Sequence, residues 1–161
     1  MKHKIIFGSD VKYKRLTKKL VKNSIKAALE AEKVDVPCEI NVWITNDEGI
    51  KQINKDMRCV DEPTDVLSFP MFELKEGAFN ASDTEADPKS GRIPLGDMAL
   101  NLDRIKQQGE MFGHGEMRET AYLTIHSVLH LLGYDHLDEG ERKARMRKRE
   151  EEIIKNVHIK A

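Results

Sequence analysis

The chain is poor in the residues that staple or anchor a protein. Among its 161 residues there are two cysteines, five prolines and one tryptophan, and aromatics make up 6%. Cys38 and Cys59 form no C-x-x-C pair. That excludes a disulfide framework or a cysteine-rich zinc knot, and the two read as free thiols of a reducing compartment. Charge of one sign is not in excess either. Lys plus Arg number 27 and Asp plus Glu 28, for a formal charge of −1. Any attraction to an anionic partner must then come from local patches. No apolar run has the length of a membrane-spanning helix. The run that ends at Phe7 is too short for the apolar core of a secretory signal. The expectation is a cytoplasmic protein with no membrane partner.

What is present suits a single domain over 1–161, with 39% apolar and 34% charged residues. That length buries a core without staples. Lys4–Phe7 is a strand candidate. Over Lys12–Lys33, Leu16, Leu20, Val21, Ile25, Ala28 and Leu29 recur at helical spacing. The opposite face of that helix carries a lysine stripe, either a solvated surface or a landing site for phosphates. Glu39–Thr45 alternates like a half-buried strand. Asn46 is a good N-cap for a helix reaching about Met57, with Asp47 and Glu48 suiting its first turn. Val66–Phe69 is a short strand closed by Pro70. Lys75–Arg92, rich in Gly, Ser and acids, reads as a flexible loop or loose hairpin. A strand over Ile93–Leu100, an Asn101-capped helix toward Gln108, a helix from about Glu116 to Leu132 and a last helix from about Asp138 to Asn156 complete the chain. The order predicts an α+β fold, a small mixed sheet packed against helices.

The informative stretch is His126-Ser127-Val128-Leu129-His130-Leu131-Leu132-Gly133-Tyr134-Asp135-His136. Residues four apart on a helix share a face, so His126 and His130 can share a cation. Gly133 is the residue type that stops a helix in the left-handed conformation. The reversal would bring His136 back as a third nitrogen ligand. Three protein ligands leave a fourth position for water, the arrangement of a catalytic and not a structural zinc. The helix is apolar nearly all round, hence buried. His3, His114 and His158 lack such spacing and read as structural or solvated. The spacing is that of the metzincin metallopeptidases, with one departure. Those enzymes place their glutamate base directly after the first histidine, where this chain has Ser127, so the peptidase base is missing.

The same stretch closely resembles the signature of the YbeY family of bacterial endoribonucleases and ribosomal-RNA maturation factors. That family usually has glycine where Ser127 stands. Asn54-Lys-Asp-Met-Arg58 running on through Asp61, Pro63, Thr64 and Asp65 to Pro70 is similar to its central motif, and Leu95-Gly96-Asp97 to a third. The match runs from about Ile40 to Asp138. The resemblance implies a zincin-like single domain and one zinc ion on His126, His130 and His136. It also implies Arg58 as the functional arginine and cleavage of single-stranded RNA in small-subunit ribosomal-RNA maturation and quality control. Ribosomal RNA and the ribosome or its assembly factors are the implied partners, with a monomer favoured.

The remaining residues carry alternatives. Arg58 could hold a scissile phosphate in its planar fork, or pair with Asp61 or Asp65. His126 would act in catalysis as well as in ligation. Asp97 could orient a ligand histidine or satisfy a strand end. Ser68 and Thr64 could donate to phosphate but read better as turn caps, Asp135 reads as a turn-fixing residue and not a base, and Phe69 and Tyr134 could stack bases but read better as core. The attacking group could be metal-activated water or the RNA 2′-hydroxyl. Imidazole also suits nickel, copper and iron. A hydrolase of another substrate class, peptidase-like, and a ribosome-assembly factor with a structural zinc are the rival functions.

Overall fold

The computed structural model describes residues 3–135 and 140–159. Four strands form one sheet: β1 (Lys4–Ser9), β2 (Cys38–Thr45), β3 (Val66–Pro70) and β4 (Ile93–Asn101). Their order is β1-β2-β4-β3. β1, β2 and β4 run parallel, and β3 lies antiparallel to β4 as an edge. The helices among the described residues are α1 (Arg15–Ala31), α2 (Asp47–Arg58), α3 (Leu102–Met111), α4 (Glu116–Leu131) and α5 (Glu141–Ile154). The architecture is α+β, a mixed sheet packed against helices, as the element order predicts. The expected start of the last helix, Asp138, lies outside the described residues.

Side-chain alternation divides the sheet into two faces. On β2, Ile40, Val42 and Ile44 are buried while Asn41 and Trp43 point the other way and are exposed. The buried set joins Leu95, Met98 and Leu100 of β4 against Val21, Ile25 and Leu29 of α1 and Ile125, Val128 and Leu129 of α4. The opposite face is covered in part by α2, where Ile50, Leu67 and Ala99 form a second small cluster flanked by Ile53 and Phe69. β3 therefore serves both faces: Leu67 and Phe69 pack under α2, while Val66, Ser68 and Pro70 line a cleft on the α4 side.

β4 changes phase once. Glu39 pairs with Pro94 but Ile40 pairs with Gly96, which leaves Leu95 as a bulged residue. Gly96 has φ +142°, and a Cβ there would lie 2.3 Å from the Phe69 carbonyl oxygen and 3.0 Å from Leu131. The bulge keeps Leu95, Met98 and Leu100 on the core side and turns Asp97 outward.

Leu16, expected on the buried stripe of α1, is 42% exposed at the stripe's margin. Lys12, Lys14, Lys18, Lys19 and Lys26 are exposed, and Lys18 Nζ sits 5.2 Å from the Phe7 ring centroid. Residues 75–92 contain no strand. They fold on local bonds: the 3-10 turn Ala81–Asp83 is capped by Asn80, and Asp87 Oδ1 accepts from the Lys89 amide at 2.7 Å. Among the described residues no helix is long and apolar enough to cross a membrane.

The end of α4 fixes the geometry of the cleft. Leu132 closes the helix, and Gly133 follows at φ +101°. The Gly133 amide donates to the His130 carbonyl (3.1 Å) and the Tyr134 amide to that of Leu129 (3.0 Å). This is the paired 5→2 and 6→1 pattern of a Schellman cap. A Cβ on Gly133 would lie 2.2 Å from the Leu74 carbonyl oxygen, so the reversal needs both the left-handed backbone and the missing side chain. Gly133→Ala is expected to lower unfolding stability by about 2 kcal/mol or more, from left-handed strain plus the clash. Urea denaturation checks this, and an unchanged midpoint would refute the account.

Candidate active site

α4 carries His126 and His130 one turn apart, and both rings face the cleft between α4 and the edge strand β3. Their Nε2 atoms lie 3.1 Å apart, with ring centroids at 4.6 Å and planes near perpendicular at 81°. The other nitrogen of each ring meets a group that only accepts. His126 Nδ1 bonds the Glu150 carboxylate of α5. His130 Nδ1 bonds the Tyr134 carbonyl oxygen at 2.9 Å. A carbonyl or carboxylate cannot donate, so each neutral ring carries its proton on Nδ1. Each Nε2 then presents a lone pair into the same small volume.

Two such lone pairs facing each other repel unless an electrophile lies between them. The donor set therefore fits a divalent cation, with second-sphere acceptors of the kind that orient metal-bound imidazoles. Two imidazoles are what the described residues contribute. Among those residues no group of three His, Cys, Asp or Glu side chains is arranged as a metal cage. His136, the expected third ligand, lies outside the described residues.

Arg58 reaches the same cleft from the C-terminus of α2. Its Nη1 bonds Asn54 Oδ1 at 3.4 Å. Among the described residues it makes no ion pair. Asp61 faces Lys51 at 4.0 Å, while Asp65 accepts from the Val66 amide at 2.7 Å and from Gln108 at 3.4 Å. The guanidinium is exposed to solvent at the mouth of the cleft. The turn after α2 is built for this. Cys59 takes the left-handed conformation (φ 60°), and buried Asn54 donates to the Glu62 carbonyl at 2.9 Å. Asn101 pins the far side, donating to Asp47 (2.7 Å) and to the Thr64 carbonyl (2.9 Å).

The cleft has a volume of about 610 Å³. Its β3 wall carries Ser68, whose Oγ lies 2.6 Å from Ser127 Oγ on α4. Ser68 thus ties strand to helix and does not cap a turn. Ser127 is 0% exposed. The position that holds a peptidase's glutamate base is here sealed under β3, and a longer side chain has nowhere to go.

Other expectations resolve individually. Tyr134 is buried and its hydroxyl bonds Glu32; burial first, then that carboxylate, pushes the phenol above its ordinary range. Phe69 packs under α2. Asp135 pairs with Arg142 at 3.2 Å. His114 bonds buried Glu119 at 2.9 Å, and His3 Nδ1 accepts from the Cys38 amide at 3.0 Å. Among the described residues Asp97 meets no histidine. It accepts from Asn41 at 2.8 Å on the outward face of the sheet, because the bulge turns it away from α4. The carboxylate that meets a histidine of the cleft is Glu150, on the last helix, which the sequence analysis does not single out. A glutamate at a core-facing helical position, flanked by the Met146, Ile153 and Ile154 pattern, was the available signal.

The class is an α+β domain with a cleft between a sheet edge and a buried histidine helix. The family model described as Endoribonuclease YbeY matches residues 7–158. A Clostridium botulinum (strain Loch Maree / Type A3) protein named Endoribonuclease YbeY is 50% identical over 145 residues, covering 86% of this chain and 87% of its own. A relative of the same name from Lachnoclostridium phytofermentans is 45% identical, covering 87% of each. The solution structure of TM1509 from Thermotoga maritima superposes with a TM-score of 0.60 at 24% identity, covering 97% of this chain and 89% of that one, and shares the fold. The chain belongs to the endoribonuclease YbeY family.

Ser127→Glu is expected to cost more than about 2 kcal/mol, by forcing a carboxylate into a closed site and breaking the bond to Ser68. It should bring no casein hydrolysis. Denaturant titration with a casein assay checks both halves, and a stable, proteolytic variant would overturn the reading of the sealed wall.

Proposed function

We propose that this protein is a zinc-dependent endoribonuclease acting on single-stranded RNA, in the maturation and quality control of small-subunit ribosomal RNA in the cytoplasm. The observation that carries the reading is the pair of Nε2 atoms 3.1 Å apart in the cleft that Arg58 enters. Family membership supports RNA as the substrate. The sealed Ser127 counts against a peptidase.

His126 and His130 would hold the zinc, together with His136. Bound there, zinc supplies a Lewis acid at neutral pH. Arg58 contributes positive charge and a planar fork that matches two phosphate oxygens. At the cleft mouth it would bind the scissile phosphate and offset the charge that grows on it during cleavage. Glu150 and the Tyr134 carbonyl keep both rings in the Nδ1–H form. His126, with an acidic neighbour on Nδ1, is the ring best suited to steady positive charge on its Nε2 side.

Metal analysis of protein purified without a histidine tag is expected to find about one zinc per chain, lost in His126→Ala. A chelator should abolish cleavage of single-stranded RNA. Arg58→Ala should lower cleavage by about 10²–10³-fold with the metal retained, the usual cost of removing a charge-stabilising donor. Cleavage that survives both chelation and Arg58→Ala would reject this mechanism. If Arg58→Ala abolished cleavage while ribosome association and growth were unaffected, an assembly factor with a structural zinc would be the better description.

A further inference from the structure

α5 contributes none of the residues that would bind metal or phosphate, yet it reaches the back of the histidine pair. Glu150 is 2% exposed. One carboxylate oxygen accepts from the Tyr122 hydroxyl at 2.7 Å, and the other from His126 Nδ1. No lysine or arginine pairs with it among the described residues. Burying a carboxylate with two neutral donors is costly, because hydrogen bonds offset only part of the lost hydration. A cation on the far nitrogen of the same imidazole supplies the missing positive charge through the ring. Burial, followed by the bond to Glu150, pushes the Tyr122 phenol above its ordinary range, so it remains a donor.

The neighbouring residue on α5 serves the second histidine by a longer route. Arg149 Nε bonds Glu32 at 2.5 Å, and its Nη2 bonds the Ala31 carbonyl at 2.5 Å. Glu32 in turn receives the Tyr134 hydroxyl. Tyr134 is the residue whose carbonyl holds His130 Nδ1. Successive residues of one helix thus brace the supports of both imidazoles.

We propose that Glu150, oriented by Tyr122, is a positioning residue that locks His126 in its Nδ1–H form and raises the affinity of the site for metal. This rests on the reading of His126 and His130 as ligands. Glu150→Gln keeps the shape and can still accept from Nδ1, but removes the charge. Tyr122→Phe keeps the charge and removes one of the two bonds that aim it.

Zinc affinity of the full chain is measured by competition with a chromophoric chelator, and the His126 tautomer by long-range ¹⁵N–¹H correlation on metal-free protein. Glu150→Gln should bind zinc about 10- to 100-fold more weakly, the usual effect of losing such a partner. Its His126 should shift toward the Nε2–H form. Tyr122→Phe should bind about three- to tenfold more weakly, by loosening that same partner. A purely structural carboxylate would lower the melting temperature and move neither readout. If Glu150→Gln fails to fold, Tyr122→Phe carries the test. Wild-type affinity, to within twofold, in the folded variant, with an unshifted tautomer in Glu150→Gln, overturns the proposal. Failure of the wild-type chain to bind zinc at all would strike the ligand reading instead, and the tautomer would still report on Glu150.

Discussion

A histidine ring has two nitrogens, and binding one of them to an obligate acceptor decides what the other can do. In this protein both ring protons of the α4 pair are committed backward, to Glu150 and to the Tyr134 carbonyl. The forward nitrogens are consequently both bases in one place. The surrounding structure supplies the acceptors at the right depth. α4 must be buried so that α5 can lie behind it, and it must end at Gly133 so that the Tyr134 carbonyl can curl back beneath His130. The Schellman bonds and the narrow approach to Leu74 are means to that end.

The cleft is assembled from chain segments that share no local structure. The histidines ride on a helix, where rotamers are held by packing. Arg58 stands at a helix end, on a left-handed corner organised by Asn54. Ser68 comes from the sheet edge and bonds across to Ser127. The fixed parts flank a long, solvated side chain, so the arginine can adapt to a ligand while the imidazoles need not move.

Much of this was legible in the residues alone, for reasons that differ by element. The period-2 pattern of β2 and the period-3.6 pattern of α1 report burial directly, and Asn46 and Asn101 mark helix starts because their side chains satisfy open amides. The four-residue spacing of His126 and His130 and the glycine stop are local chemistry, so the fold reproduces them. Two features were illegible because they depend on contacts between distant segments. Asp97 suits a histidine or a strand end equally well by sequence, and the bulge at Leu95 turns it outward. Glu150 is not set apart by the sequence, since only the packing of α5 on α4 tells an inward glutamate from its neighbours. Ser127 was readable as a missing base but not as one half of a strand-to-helix bond.

The two-sidedness of β3 has a consequence for how this protein can change. Along Val66–Pro70 every residue either borders the cleft or stands on the small α2 core, with no neutral position in between. Lengthening or shortening the preceding turn by a single residue would invert the pleat, presenting phenylalanine where a hydroxyl now stands and pushing serine into an oily floor. Length variation of two residues would keep the pattern in step. Drift at this edge is thereby quantised, and diversity in the cleft wall has to arise by replacing side chains, with the spacing held constant.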